Sequence, residues 1–193
     1  MKYRTIFLFG APGAGKGTQG RILGKIPNFF YCACGDVFRN LRLDNPLGQV
    51  FIKYASKGLL VPDQPTVDLW RWSVDSATRS GQFHPERDML VLDGIPRNVG
   101  QARLLKSSLD VQAIFYLRCR DMEKMVERLQ RRALRENRLD DANLTVIRKR
   151  LKTYERETEP LLEYYGRKLV YEINSDQAPE KIFHEILGHI IKL

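Results

Sequence analysis

Cysteine is scarce in this chain of 193 residues, which limits the ways in which the fold can be stabilised. The three cysteines, Cys32, Cys34 and Cys119, are odd in number and form no C-x-x-C pair. A disulfide framework uses an even number of cysteines and structural zinc sites commonly use C-x-x-C pairs, so neither is expected here. Free cysteines are typical of proteins in a reducing compartment, so we expect a cytoplasmic protein.

Long apolar runs are also missing. No segment approaches the roughly 18 consecutive apolar residues of a membrane-spanning helix, and the first four residues do not resemble a secretory signal. We therefore expect no membrane partner. A hydrophobic content of 43% with 28% charged residues is typical of a globular protein with a real core. The length favours one core domain over residues 1–193, with small inserts at most.

Acidic residues are in the minority, and the formal net charge is +9. Between positions 118 and 150, eleven Lys or Arg stand against six Asp or Glu, so more than half of the excess falls in this segment. Such an excess indicates an anionic partner, which could be a nucleic acid, an acidic surface or a small polyanion. The sequence has no RNA-binding signature, so a basic nucleic-acid-binding protein is the less favoured alternative. Tight binding that weakens steeply with salt would indicate it.

A glycine-rich segment at residues 10–18, Gly-Ala-Pro-Gly-Ala-Gly-Lys-Gly-Thr, carries the strongest functional signal. It follows a short apolar run and precedes helical spacing, the context in which G-x-x-x-x-G-K binds phosphate. Glycine lets backbone N–H groups approach an anion, and the helix N-terminus adds a favourable dipole. Lys16 contributes a full charge at the outer phosphates. The hydroxyl that usually follows the lysine comes one residue later, at Thr18.

Five apolar runs predict strands, near residues 5–9, 30–33, 89–92, 111–117 and 169–173. Helical spacing fills the intervals, and this alternation predicts an α/β fold of the P-loop NTPase type with a doubly wound parallel five-stranded sheet. Such sheets bind ligands beyond the carboxyl ends of their strands, where we expect Gly10, Cys34, Asp93 and Arg118.

The helical segments have two predicted irregularities and one insert. Asp36 is predicted to cap the N-terminus of its helix. Pro160 is predicted to kink a helix that spans residues 144–165. Two short helices between the second strand and residue 63 predict a small helical insert.

Several motifs together resemble those of the adenylate kinases and, more broadly, of the nucleoside monophosphate kinases. The matching phosphate loop extends through Gln19, and the order Gly17 then Thr18 after the lysine is typical of the family. Asp93-Gly-Ile-Pro-Arg-Asn98 is the second specific motif. Further matches follow in the family's order over nearly the whole chain, at residues 34–39, 57–63, 101–102, 128–132, 138–141, 150–154 and 159–160.

The resemblance implies a phosphotransferase that moves the γ-phosphoryl of Mg-ATP to AMP, giving two ADP and serving adenine nucleotide homeostasis. It also implies two mobile parts, an insert for the nucleoside monophosphate at residues 34–63 and a lid at residues 133–143. About seven residues separate Arg132 from Asp140, without cysteine, so the lid resembles the short form. Mg²⁺ is the expected cofactor and zinc is not. ATP, AMP and ADP are the expected partners of a monomer that binds no nucleic acid.

Phosphoryl transfer depends mainly on positioning and charge stabilisation, so arginine is the expected catalytic residue type. The family's pattern assigns the catalytic set Lys16, Arg97, Arg132, Arg138 and Arg150. It assigns the ATP contacts to Gly13, Ala14, Gly15, Lys16, Gly17, Thr18 and Arg132. Arg128 and Arg131 are expected on a solvated charged helix face, where pairs such as Glu127–Arg131 form.

The acceptor side is assigned in the same way. Arg39 matches the arginine that grips the acceptor phosphate, Gln101 the glutamine that reads adenine through its amide, and the backbone around Val61 adds carbonyl contacts. The expected AMP site comprises Cys34, Arg39, Leu59, Leu60, Val61, Gly94, Ile95, Pro96, Arg97, Gln101, Arg138 and Arg150. UMP/CMP kinases tend to carry asparagine at the position of Gln101 and are the alternative within the family.

Asp93 ends a predicted buried strand beside the phosphate loop, where its carboxylate can hold Mg²⁺ through water. Thr18 is a second candidate ligand. Asp140 and Asp141 are expected to orient the lid arginines rather than bind metal. Without a triphosphate these arginines should face and repel one another, which favours an open lid.

Four features depart from the family's pattern. Cys34 stands where threonine is usual, Ile95 replaces an aromatic residue, and Asn137 replaces a glycine. One additional residue precedes Arg150, which leaves Arg148 as an alternative phosphate contact. No role is assigned to the three histidines.

Overall fold

The computed structural model describes residues 2–41, 45–136, 138, 141 and 143–193. In this part of the chain five strands form one parallel sheet, in the spatial order β2-β3-β1-β4-β5. Their bounds are β1 Tyr3–Phe9, β2 Phe29–Ala33, β3 Met89–Asp93, β4 Leu109–Arg118 and β5 Val170–Asn174. The predicted α/β fold with a parallel five-stranded sheet is confirmed.

Helices connect the strands and cover both faces of the sheet. They are α1 Lys16–Leu23, α2 Cys34–Arg39, α3 Pro46–Ala55, α4 Asp63–Arg79, α5 Val99–Leu105, α6 Met122–Glu136, α7 Leu144–Thr153, α8 Leu161–Tyr165 and α9 Pro179–Ile190. A π-helical turn, Tyr154–Thr158, lies between α7 and α8, and a 3₁₀ turn, Arg167–Leu169, precedes β5. Of the helices described, none combines the length and the apolar composition that crossing a bilayer requires.

The core lies on both faces of the sheet because alternate strand residues point to opposite sides. On one face Phe7, Leu92 and Ile114 pack with Trp70 of α4. On the other face the core contains buried residues of the strands and of α1 and α9: Ile6, Leu8, Val91, Phe115, Leu23, Ile182 and Ile186. This packing makes the carboxyl ends of β1 and β3 a rigid platform, in which Leu8 pairs with Asp93 beside the phosphate loop.

The cap predicted for α2 is wrong. The helix begins at Cys34 with Ala33 at its N-cap, and no side-chain hydrogen bond within the described chain caps it. Strand β2 runs directly into the helix and leaves no loop residue to act as a cap. Asp36 lies one turn further in, where it forms an ion pair with Arg39.

The helix predicted over residues 144–165 is interrupted earlier than Pro160. Helix α7 ends at Thr153 and widens into the π-helical turn before α8 begins at Leu161. A proline has no N–H to continue the helical ladder, and its ring crowds the carbonyl four residues earlier. The π-helical turn Tyr154–Thr158 contains Arg156, whose carbonyl lies four residues before Pro160, so the widening falls where this crowding acts.

Candidate active site

A cleft of about 670 Å³ opens beyond the carboxyl ends of the strands. It brings together the phosphate loop, the segment before α4, the end of β3 and the arginines of α6 and α7. Most sequence-predicted site residues line it: Gly13, Ala14, Gly15, Lys16, Gly17, Thr18, Arg39, Leu59, Leu60, Val61, Asp93, Gly94, Pro96, Arg97, Arg132, Arg138 and Arg150. Cys34, Ile95 and Gln101 are buried behind its wall.

The phosphate loop is shaped by glycines with positive φ. Gly10 has φ 145°, and a Cβ there would lie 2.5 Å from the Leu117 carbonyl, so no larger residue fits. At Gly13, with φ 88°, a Cβ would lie 3.0 Å from the carbonyl of Met125. Gly15 caps α1 without any side-chain hydrogen bond from the described residues. The first N–H groups of α1 thus meet no competing cap and can bind an anion.

Lys16 is folded back onto this loop. Its Nζ donates hydrogen bonds to the carbonyls of Gly10, at 2.6 Å, and Ala11, at 3.1 Å. The pKa of the Lys16 ammonium is lowered to about 8, mainly by burial and in smaller part by the charges of Arg97 and other cleft arginines, while the charge of Asp93 acts in the opposite direction. A bound polyphosphate would reverse the effect of the arginines and favour the charged lysine.

Asp93 lies at the end of β3, and its Oδ2 accepts a 3.1 Å hydrogen bond from the hydroxyl of Tyr31. Burial and the charge of Asp93 raise the pKa of Tyr31, so the phenol stays a donor. A carboxylate and the Thr18 hydroxyl are hard oxygen ligands, which suit Mg²⁺. The described residues contain no group of three or more His, Cys, Asp or Glu that could form a complete protein cage. A Mg²⁺ ion carried by nucleotide phosphates fits this donor set, since such ions use one or two protein ligands.

Asp141 lies between the lid arginines with its side chain entirely buried. Its Oδ2 accepts a hydrogen bond of 2.7 Å from Arg132 Nε and lies 3.5 Å from Arg138 Nε. Its Oδ1 pairs with Arg150. The predicted contact of Asp141 with the lid arginines is confirmed. This carboxylate partly neutralises the arginines, and the expected repulsion between them without a triphosphate stays a prediction.

The remaining expectations for this segment have different outcomes. Arg150 lines the cleft, whereas Arg148 is exposed on the outer side of α7, so the structure favours Arg150 as the phosphate contact. Asp140 and Asn137 lie outside the described residues.

Arg97 is held by its backbone as well as by its side chain. Its N–H donates to Gln101 Oε1 at 2.7 Å, and its carbonyl accepts from the Thr158 hydroxyl at 2.6 Å. Its Nε donates to the carbonyl of Gly94 at 2.9 Å. These three bonds fix the place at which the guanidinium enters the cleft.

The chain resembles known proteins over most of its length. The family model described as Adenylate kinase matches residues 8–170. Adenylate kinase 1 of Nostoc sp. is 36% identical over 185 residues, covering 95% of this chain and 96% of the relative. Adenylate kinase of Flavobacterium psychrophilum is 37% identical over 166 residues, or 83% of each chain, and that of Cyanothece sp. is 35% identical over 191 residues, or 96% and 94%.

The chain belongs to the adenylate kinase family. It is therefore a phosphotransferase and, more specifically, a nucleoside monophosphate kinase. The phosphate loop and converging arginines described above are the features that such a transfer requires.

Two residues assigned to the acceptor site by analogy with adenylate kinases have unexpected surroundings. Gln101 is 1% exposed, and its Nε2 donates to Asp63 Oδ1 at 3.0 Å, so both ends of its amide have protein partners. Cys34 is also buried, and burial raises the pKa of its thiol to about 11. In this structure neither side chain faces the cleft.

One side of the cleft in this member of the family was not predicted from the sequence. Both terminal nitrogens of Arg128 donate to the Ser175 carbonyl, at 3.1 and 3.2 Å, and Arg128 lines the cleft, so its prediction as a solvated residue is wrong. Arg131 instead pairs with Glu127 on an exposed face, as predicted. Other unpredicted lining residues are Ser175, Gln177, Pro179 and Ile182. Ser175 is 47 positions from Arg128, and no motif in the sequence indicates their contact.

Proposed function

We propose that this chain transfers the γ-phosphoryl of Mg-ATP to AMP, giving two ADP. The observation that carries the proposal is the convergence of five cationic side chains on one cleft, between the phosphate loop and the segment before α4. These side chains are Lys16, Arg97, Arg132, Arg138 and Arg150. The adenylate kinase names of the relatives support AMP as the acceptor.

The donor triphosphate binds the N–H groups of the phosphate loop. Lys16 then exchanges the Gly10 and Ala11 carbonyls for phosphate oxygens, and Arg132 exchanges Asp141 for the same ligand. Mg²⁺ bound with the triphosphate supplies charge neutralisation, and Asp93, through water, and Thr18 are the residues that would hold it. The positive side chains stabilise the charge of the transferred phosphoryl group and of the leaving ADP.

The acceptor phosphate binds Arg39, which in the described structure pairs with Asp36, and Arg97. Its oxygen is already ionised at neutral pH, so no side chain is needed as a general base. Leu59, Leu60 and Val61 border the space for the base. Selection of adenine by Gln101 is part of the proposal and requires that its amide exchange a present partner for the base.

Residues 34–63 and 133–143 act as the mobile acceptor insert and short lid. Closure excludes water and strengthens each arginine–phosphate contact. A ligand shifts this equilibrium only by its differential affinity for the closed state, so an analogue joining two adenosines through five phosphates should close it most. We propose a cytoplasmic monomer.

A coupled assay with ATP and equal concentrations of AMP, CMP or UMP tests the proposal. AMP should be turned over fastest. Much faster turnover of CMP or UMP would replace AMP by a pyrimidine nucleotide as the acceptor.

The basic excess supports a nucleotide rather than a nucleic acid, because six arginines of residues 118–150 line the cleft: Arg128, Arg131, Arg132, Arg135, Arg138 and Arg150. Tight, salt-sensitive binding to nucleic acid without kinase turnover would overturn the proposal.

A further inference from the structure

A carboxylate stands behind the acceptor side of the cleft, at the first residue of α4. Oδ1 of Asp63 accepts two amide hydrogen bonds, from Asn98 Nδ2 at 2.8 Å and from Gln101 Nε2 at 3.0 Å. Asp63 follows the cleft-lining Val61 by two residues, and Asn98 follows the cleft-lining Arg97 directly. The carboxylate thus connects two separate walls of the acceptor side.

Asp63 also determines which way the Gln101 amide points. An ionised carboxylate only accepts hydrogen bonds, so it requires the NH₂ end of the amide to face it. The amide oxygen then faces the N–H of Arg97 and accepts it at 2.7 Å. In the opposite orientation the amide would present donors to Arg97 and an acceptor to Asp63, and both contacts would be lost.

The neighbouring helix α5 is shaped to let this carboxylate approach. A Cβ at Gly100 would lie 2.5 Å from Asp63 Oδ2, so any larger residue there would force the carboxylate to shift. Asn98 caps α5 by accepting a 2.8 Å hydrogen bond from the Gln101 N–H, while its own amide donates to Asp63. The Asp63 carboxylate therefore holds the N-terminal ends of α4 and α5 together.

We propose that Asp63 is a positioning residue for the acceptor nucleotide, acting through Gln101 on the backbone of Arg97. The inference rests on the proposed phosphoryl transfer to a nucleoside monophosphate. Asp63 does not line the cleft itself, so its effect passes through the placement of Arg97 and of the segment before α4. This effect on the phosphate side of the acceptor lowers the use of every nucleoside monophosphate, and for AMP it adds to any change in the adenine contact proposed for Gln101.

The test compares Asp63→Ala with Asp68→Ala. Asp68 lies on the same helix and also accepts an amide hydrogen bond, from Gln64 Nε2 at 2.8 Å, but it is exposed. We expect Asp63→Ala to lower kcat/KM for the acceptor by about 10- to 100-fold, the cost of a small misplacement near the chemistry. CMP and UMP should lose activity as well as AMP, and KM for ATP should stay within about twofold. Asp68→Ala should match the wild type.

Two further variants separate positioning from folding. Asp63→Asn keeps one acceptor oxygen and should recover part of the lost activity. Gly100→Ala keeps every polar group but presses a methyl group against the carboxylate, and it should reproduce the acceptor-side loss with unchanged circular dichroism.

A Tm decrease in Asp63→Ala with unchanged acceptor kinetics would overturn the inference, as would equal losses for ATP and acceptor. A loss confined to AMP, with CMP and UMP unchanged, would show that Asp63 acts on base recognition instead. If the wild type turns over no monophosphate at all, the proposed function fails first, and this inference fails with it.

Discussion

Arg132 Nε donates a hydrogen bond of 2.7 Å to Oδ2 of Asp141, whose side chain is entirely buried. In the described structure the carboxylate therefore occupies the role that a phosphate oxygen would have in a complex. Substrate binding exchanges one anion for another around the same guanidinium groups, rather than assembling an arginine cluster from nothing. The free energy of this exchange is smaller than that of neutralising bare arginines.

The Arg132→Ala change should affect both activity and stability. We expect kcat to fall by roughly 10²–10⁴, below the range for a lone arginine finger because several arginines share the charge. Asp141 also loses one partner, at a cost of about 1–3 kcal/mol in unfolding free energy, which lowers Tm by roughly 2–12 °C in a chain of this size. Arg118→Ala, which removes an exposed ion pair with Glu172 away from the cleft lining, is the control. Near-normal kcat together with a large Tm decrease would make Arg132 a structural residue only.

The Asp141→Asn change should destabilise the free protein while improving its response to polyphosphate. It removes the buried charge between Arg132, Arg138 and Arg150, so the free protein loses stability. Inorganic triphosphate then meets no competing carboxylate and should raise Tm by more degrees than in the wild type. Glu172→Gln, which alters an exposed pair with Arg118, is the control. An unchanged triphosphate shift in Asp141→Asn would contradict the exchange described above.

The Tyr31→Phe change should raise the requirement for Mg²⁺. It removes the hydroxyl that orients Asp93 but keeps the ring, which packs closely against Gly20. We expect the Mg²⁺ concentration for half-maximal turnover to rise roughly tenfold, as for other residues that orient a metal ligand, with little change in Tm. A chelator should abolish turnover in both proteins. Tyr171→Phe, on β5, is the control. An equal rise in the Mg²⁺ requirement of Tyr171→Phe would contradict a role of Tyr31 in orienting Asp93.

The three thiols should differ in reactivity. Burial raises the pKa of Cys32 to about 12 and that of Cys34 to about 11, whereas Cys119 is only partly buried. At pH 8 a thiol reagent should label Cys119 first, and Cys119→Ser should abolish that phase. Because the pKa of each buried thiol is higher in the folded protein than the ordinary value of 9.0, its contribution to stability is complete below pH 9.0. This contribution is lost as the pH rises towards 11 and 12. Equal labelling rates for all three thiols would contradict the burial.

Features specified by neighbouring residues were predictable from the sequence. Each strand was found within two residues, and the phosphate loop and the cleft arginines follow from local motifs. The contacts that orient these residues were not predictable, because each joins distant positions. Tyr31 and Asp93 are 62 residues apart, Gln101 and Asp63 are 38 apart, and Arg128 and Ser175 are 47 apart. Only packing of the sheet and its helices brings such pairs together, and periodicity carries no information about it.

The π-helical turn after α7 has a mechanical consequence. Arg150, Tyr154 and Thr158 are spaced four residues apart, and all three line the cleft. In a regular α-helix each step of four residues advances the direction of the side chain by about 40°. The wider turn advances it less per residue, so it compensates the rotation accumulated along α7. The helical segment thereby directs both the Arg150 guanidinium and the Thr158 hydroxyl that holds Arg97 towards the cleft, and the angle between the two side chains depends on this single turn.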